Sequence, residues 1–248
     1  MTLEAFFQEH PETAIAFSGG VDSAYLLYAA SRYAGKAKAY YAKSAFQPEF
    51  ELEDAKRVCR ELKVPMEILE IDVLSCPEVT ENPANRCYHC KKRIFSVILE
   101  AARKDGFPVL LDGTNASDAA DDRPGMKALQ EYSVLSPLRI CGLTKEKIRA
   151  LSREAGLFTW DKPAYACLAT RIPTGEPITA GKLEATEKAE ALLFSMGLSD
   201  FRVRYAHGAA KLQVREEQLE LALQNREAIL ACLKPWYSSV LLDLEVRK

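Results

Sequence analysis

Ser18-Gly19-Gly20-Val21-Asp22-Ser23 follows an apolar, β-prone run at 13–17 and opens into a helix-like run at 24–30. A glycine turn between strand and helix can aim backbone N–H groups at an anion, and the helix N-terminus adds partial positive charge. Gly19 and Gly20 permit φ > 0 and carry no Cβ to block a phosphate. Ser18 and Ser23 offer hydroxyl donors, and Asp22 could hold Mg²⁺ beside phosphates. The segment is not a Walker A loop, because it lacks the four-residue spacer and the Gly-Lys-Ser/Thr end. The bland alternative is a Gly-Gly turn with no ligand.

Further groups stand at spacings that suit chemistry. Asp112-Gly113-Thr114-Asn115 follows the apolar run 109–111, with Asp118 three residues on. Small polar groups at a strand's carboxyl end suit ligand binding, although the same residues also make ordinary Asx turns. Arg86-Cys87-Tyr88-His89-Cys90-Lys91-Lys92 holds a C-x₂-C immediately before an expected helix, and Cys167 lies in a loop. Seven cysteines, an odd number, argue against a disulfide framework and for metal or catalytic roles. Cys59, Cys76, Cys141 and Cys232 read as small buried hydrophobes. In Phe201-Arg202-Val203-Arg204-Tyr205 the alternation puts Arg202 and Arg204 on one strand face, where two guanidiniums can clamp a phosphate or carboxylate. A solvated strand face is the alternative, and for Glu190 an ordinary surface charge. His207-Gly208 reads as a turn.

These groups need elements to position them. Strands are expected at 13–17, 38–43, 66–72 and 109–112, and helices at 23–33, 49–62, 91–104 and 145–155. The last has Thr144 as N-cap and Gly156 just past its end. The alternation implies an α/β fold, a doubly wound parallel sheet, over residues 1–165, with ligands at the carboxyl ends of the strands. A Pro-, Gly- and Thr-rich loop at 160–177 leads to a smaller α+β domain at 178–248. Its expected elements are helices at 180–196 and 216–233 and strands at 201–205, 211–214 and 240–246.

With 33 Lys+Arg against 35 Asp+Glu, the chain has no global attraction for nucleic acid or anionic membrane. It has no membrane-length apolar run, and the first residues lack a basic segment followed by an apolar one, so a cytoplasmic protein is expected.

The residue 18–23 motif resembles the PP-loop SGGxDS of the ATP pyrophosphatases, which split ATP between the α and β phosphates and activate substrates by adenylation. That likeness puts Gly113, Thr114 and Asn115 across from the phosphate loop and Ser44 near adenine, the latter through backbone. The segment from Cys167 to Gly175 matches a Cys-Leu-Ala-x-Arg-x-Pro-x-Gly core. Together these segments resemble the LarE family, the sulfur transferases of nickel-pincer nucleotide cofactor synthesis, over residues ~12 to ~246. The resemblance implies a homo-oligomer (a hexamer), a small nucleotide substrate, ATP and Mg²⁺. It implies that pyridinium-3,5-biscarboxylic acid mononucleotide is adenylated and a carboxylate becomes a thiocarboxylate. It makes Cys167 the sulfur centre and Arg171, Glu190, Arg202 and Arg204 substrate residues.

Two chemistries occur in that family. Either a lone cysteine gives up its sulfur, or three cysteines hold a [4Fe–4S] cluster that supplies it. Cys87 and Cys90 are the extra ligands the second form needs. Three thiolates leave one iron of a cubane open for exogenous sulfide. A Cys₃His zinc site with His89 is the rival, though His89 sits awkwardly inside the C-x₂-C. Three rival functions also fit parts of the pattern: a PP-loop tRNA thiolase, an amide-forming ligase in which the cysteines are idle, and a nucleotide sensor that does not cleave ATP.

Overall fold

The computed structural model describes residues 1–118 and 124–247. In chain order the first elements are α1 (Leu3–Glu9), β1 (Glu12–Phe17), α2 (Val21–Tyr33), β2 (Lys36–Lys43), α3 (Glu49–Leu62), β3 (Met66–Glu70) and α4 (Pro77–Thr80). Next come α5 (Arg86–Lys104), β4 (Val109–Leu111), α6 (Pro124–Glu131), α7 (Pro137–Ile140) and α8 (Lys145–Glu154). The last are α9 (Ala180–Ser195), β5 (Arg202–Ala206), β6 (Ala209–Gln213), α10 (Leu219–Gln224), α11 (Arg226–Leu233) and β7 (Val240–Leu242). The chain divides into two compact units. Met1–Val73 and Asn85–Lys162 form the first; Leu74–Ala84 and Pro163–Lys248 form the second. The expected division at 165 and 178 did not distinguish Leu74–Ala84, which groups with residues far along the chain. No helix among the described residues is long and apolar enough to cross a membrane.

The first unit is a parallel α/β sheet in the order β3-β2-β1-β4. Successive strand residues point to opposite faces, so one strand feeds two cores. Ile15, Phe17, Ala39 and Tyr41 pack with residues of α1, α2, α3 and α8. Ala14, Tyr40 and Leu110 pack with Phe95 and Ile98 of α5 and Leu129 of α6. The sheet is therefore wound on both faces, as the alternating pattern implied. Because β1 lies between β2 and β4, the loops leaving β1 and β4 border the switch point where such sheets take ligands.

The second unit holds a three-stranded sheet in the order β5-β6-β7, antiparallel then parallel. His207 and Gly208, at φ +48° and +89°, form the two-residue turn of the β5–β6 hairpin, the positive pair that hairpin twist favours. Leu193 of α9, Phe201, Val203 and Ile229 of α11 belong to its core.

Several sequence expectations are corrected. The C-x₂-C is not ahead of a helix but inside α5, Cys87 in its first turn and Cys90 at the start of the second, and the N-cap Asn85 makes no side-chain cap bond. The helix expected at 216–233 is a 3₁₀ turn, α10 and α11, broken at Asn225, whose Nδ2 donates to the Leu221 carbonyl at 2.9 Å. The last strand stops at Leu242, and Asp243 accepts from Lys211 and Gln213 instead. Helices α1, α4, α6 and α7 had no sequence expectation.

A Cβ on Gly113 would stand 2.9 Å from the Ser23 nitrogen and 3.1 Å from its Cα. Both are backbone atoms at the start of α2, so the β4 loop approaches that helix as closely as only glycine permits. Gly113→Ala is expected to cost about 1–3 kcal/mol through overpacking, read as a lower urea midpoint. An unshifted midpoint would mean that the loop can back away.

Candidate active site

The residue 18–23 loop is closed on itself. Ser18 Oγ and Ser23 Oγ lie 3.1 Å apart, the Ser18 N–H donates to Ser23 Oγ at 3.4 Å, and Ser23 Oγ donates to the Gly20 carbonyl at 3.2 Å. Gly19 takes φ +73°, and a Cβ there would meet Glu51 O and Ala55 Cβ at 3.2 Å. Val21 is buried at the first position of α2, which leaves the N-terminal N–H groups of that helix facing the turn.

Asp22, in the first turn of α2, accepts from Lys145 Nζ at 2.5 Å through Oδ2. Its Oδ1 is buried and has no hydrogen-bond partner among the described residues. Thr144 caps α8 by accepting from the Lys147 N–H at 3.3 Å, which fixes Lys145 as the next residue. The Lys145 N–H donates to Ser117 Oγ at 3.0 Å, and the Ser117 N–H donates to Asn115 Oδ1 at 2.7 Å. A continuous polar chain thus runs from Asn115 to Asp22.

The β4 loop supports that chain. Asp112 is buried and accepts from Ser136 Oγ at 2.6 Å and from Thr114 Oγ1. The Asn115 N–H donates to Asp118 Oδ2 at 3.0 Å. The Asx-type turn and the approach to the phosphate-type loop are therefore both present. Ser44 is spent locally: its N–H and its Oγ both donate to Gln47 Oε1, at 3.0 and 2.7 Å. Lys145 went unnoticed in the sequence; the Thr144 cap was the one available signal.

Cys87 and Cys90 sit one helical turn apart in α5, Cys87 exposed and Cys90 buried. Arg86 Nη2 lies 3.6 Å from Cys87 Sγ, and the guanidinium stands 5.7 Å from the Phe46 ring centre. Tyr88 OH donates to Glu131 at 2.8 Å, tying this turn to α6. His89 Nε2 pairs with Asn85 Nδ2 at 3.0 Å. Among the described residues no three His, Cys, Asp or Glu side chains gather as a metal site. Cys87 and Cys90 belong to the first unit and Cys167 to the second. Burial pushes the Cys59 thiol up to about 12, as expected of a packing cysteine; Cys76, Cys141 and Cys232, also expected to be buried, are only half-buried, and partial burial raises the Cys141 thiol.

Cys167, partly exposed, caps the 3₁₀ turn Leu168–Arg171. Its carbonyl accepts from the Thr170 N–H at 3.0 Å and Thr170 Oγ1 at 2.8 Å. Arg171 is fully buried and forks onto Glu190, Nε to Oε1 at 2.8 Å and Nη2 to Oε2 at 3.0 Å. Its Nη1 donates to the Ala166 carbonyl at 2.7 Å. Burial alone would lower this guanidinium's pKa; the bonds and charge of Glu190, with Tyr165 and Cys167, carry it above its ordinary value. Glu190 also accepts from the Val203 N–H at 2.9 Å and from Tyr165 OH. Arg171 and Glu190 thus brace one another inside the unit.

Arg202 and Arg204 lie on the same side of β5, as expected. Arg202 is buried and donates to the Phe201 and Ala164 carbonyls at 2.6 Å each. Desolvation, with Arg171 and Arg247 nearby, pulls it down to about 10. Arg204 donates through Nη1 to the Thr170 carbonyl at 3.1 Å and through Nε to Gln213. Burial first, then the same two arginines, lowers it also. Arginines 171, 202 and 204 gather near the Cys167 turn, with Glu190 on Arg171 and Asp200 3.8 Å from Arg202; the guanidiniums are an arrangement suited to an anion.

No family model matches the chain. Its sequence is 36% identical over 224 residues to an uncharacterised protein of Synechocystis, covering 90% of this chain and 84% of that one. It is 30% identical over 220 residues to the pyridinium-3,5-bisthiocarboxylic acid mononucleotide synthase of Lactiplantibacillus plantarum, covering 88% and 80%. The chain belongs to the LarE family. More distantly, a tRNA-specific 2-thiouridylase MnmA of Thermotoga is 27% identical over 186 residues, 58% of this chain and 52% of its own. The LarE chain thus sits within the PP-loop superfamily.

Removing the Glu190 charge leaves a buried guanidinium without its counter-ion. Glu190→Gln is expected to cost about 3–5 kcal/mol, seen as a lower urea midpoint. A midpoint equal to wild type would show that water or another carboxylate takes over.

Proposed function

We propose that this protein is an ATP-dependent sulfur transferase that turns a carboxylate of pyridinium-3,5-biscarboxylic acid mononucleotide into a thiocarboxylate. The observation that carries the reading is the meeting of the residue 18–23 and 112–118 loops, with one buried oxygen of Asp22 left open. The name of the Lactiplantibacillus relative supports the substrate.

A carboxylate is a poor electrophile because oxide is a poor leaving group. Its oxygen therefore attacks the α-phosphorus of ATP, the α–β bridging bond breaks, and pyrophosphate departs with the electron pair. Backbone N–H groups at the start of α2 and the hydroxyls of Ser18 and Ser23 hold the leaving charge as it grows. Lys145 adds a cation at the same loop, and Thr114 and Asn115 shape the opposite wall. A hard oxygen such as Asp22 Oδ1 suits Mg²⁺, which when bound would screen phosphate charge. Sulfur then attacks the acyl carbon, and AMP leaves. Arg202 and Arg204 hold the substrate phosphate, while Arg171 and Glu190 keep the Cys167 turn in place.

Cys87, Cys90 and Cys167, none in a disulfide, are soft donors suited to iron–sulfur ligation. They would hold a [4Fe–4S] cluster, whose chemistry is to present exogenous sulfide. A second reading has Cys167 spend its own sulfur and become dehydroalanine. It draws on the partial exposure of Cys167 at the start of a fixed turn. Anaerobic visible absorption and iron content, set against loss of H₂S from Cys167 by mass spectrometry, separate the two.

With ATP, Mg²⁺ and the mononucleotide, the purified protein should release pyrophosphate and AMP and form a thiocarboxylate detectable by mass spectrometry. Pyrophosphate release indifferent to the mononucleotide would sink the proposal. Cys167→Ala should abolish thiocarboxylate while keeping substrate-dependent pyrophosphate release; full sulfur transfer by this variant would show that the sulfur does not pass through Cys167. Lys145→Met should slow pyrophosphate release about tenfold or more, worth roughly 1.4 kcal/mol of barrier. An unchanged rate would confine Lys145 to holding Asp22.

A further inference from the structure

Asn82 lies in the excursion Leu74–Ala84, outside every motif that the sequence singled out, yet it is 3% exposed and its φ is +55°. Its Nδ2 faces three backbone carbonyls: Pro173 at 2.7 Å, Glu176 at 3.2 Å and Ile172 at 3.3 Å. The backbone repeats the grip. The Gly175 N–H donates to the Asn82 carbonyl at 2.8 Å, and the Ile178 N–H donates to that of Thr80 at 2.8 Å. The segment so held begins one residue beyond the Leu168–Arg171 turn that Cys167 caps. At its other end, the turn is fixed by the Thr170 and Arg171 bonds to the carbonyls of Cys167 and Ala166.

We propose that Asn82 is a positioning residue for Cys167, a latch that sets where the sulfur-bearing turn stands; this rests on the sulfur-transfer reading. The demands on position 82 are narrow. The backbone is left-handed, which excludes β-branched and bulky residues and is tolerated by Asn, Asp and Gly. The side chain must donate to carbonyls without carrying charge into a buried place. An Asp carboxylate would aim acceptors at acceptors, and Gly would take the side-chain donor from the carbonyls of 172 and 176 and leave that of Pro173 with the Glu176 N–H alone, so among these three Asn alone meets both demands. Asn82 grips the carbonyl of the residue five beyond Cys167 and holds residues 172, 173, 175 and 176 through its own groups, while the Thr80 carbonyl two residues before it holds the 178 end.

The test compares wild type with Asn82→Gly, which keeps the left-handed backbone, and with Gly175→Ala. The latter strains the partner backbone at φ +83° without a clash, since nothing lies within 4 Å of the added Cβ. Two readouts are taken on full-length protein. One is the iodoacetamide alkylation rate of Cys167 relative to Cys232, by peptide mass spectrometry. The other is thiocarboxylate turnover against substrate-dependent pyrophosphate release. The expected result is an alkylation ratio changed about fivefold or more and sulfur-transfer kcat down about tenfold, with pyrophosphate release and the KM for ATP held within about twofold. An unchanged alkylation ratio overturns the latch whatever turnover does, and so does equal loss of both half-reactions, which would mark a general structural role. If wild type makes no thiocarboxylate the sulfur-transfer reading fails by itself, while the alkylation ratio still decides the latch. Should Asn82→Gly fail to fold, Gly175→Ala carries the same comparison.

Discussion

A single carboxylate organises the second unit. Glu190 projects from α9 and accepts from both arms of Arg171, from Tyr165 and from the Val203 N–H of β5. Taking a carboxylate and a guanidinium out of water costs several kcal/mol each, and only a fully hydrogen-bonded pair offsets it. Here every strong acceptor direction of Glu190 is used, and Arg171 passes its remaining hydrogen bonds to the Ala166 carbonyl and Thr170. Cys167 therefore stands at the start of a turn whose other end is fixed by a buried charge pair. Arg171 and Glu190 also act on Arg202 and Arg204, alongside burial and Arg247.

The first unit solves a different problem, bringing two loops within van der Waals contact over the carboxyl edge of a parallel sheet. Placing β1 between β2 and β4 makes the loops diverge and leaves a crevice, and glycine at 113 allows the approach. Lys145 then closes the polar circuit from α8. Among the described residues Asp22 Oδ1 has no donor, and a buried carboxylate oxygen in that state is the kind of defect found where a ligand belongs.

Much of this was legible in the sequence because it is local. The 18–23 turn, the Thr144 cap, the His207-Gly208 hairpin and the period of two in β5 each depend on neighbours a few residues away. The Lys145–Asp22 pair spans 123 residues, and Asn82 meets carbonyls some 90 residues on, which carry no side-chain signature. Arg171 was singled out through the family resemblance alone, and nothing in its surroundings along the chain showed that Glu190 would take up two of its nitrogens. The C-x₂-C was read as preceding its helix because residues 86–90 have no apolar period of their own; Asn85, a capping residue type just before them, was the signal passed over. At 216–233 the apolar spacing was helical throughout, and the bond from Asn225 to its own preceding turn divided it.

The excursion Leu74–Ala84 makes the second unit discontinuous along the chain. A ribosome delivers Asn82 well before the carbonyls it will hold. At about 5–20 residues per second, the roughly 90 intervening residues take on the order of 5–20 s to appear. Through that interval the strap has no docking surface, and the left-handed Asn82 has nothing to stabilise it. The second unit thus closes late, around a segment that has waited for it, and co-translational folding of the first unit must leave that strap accessible.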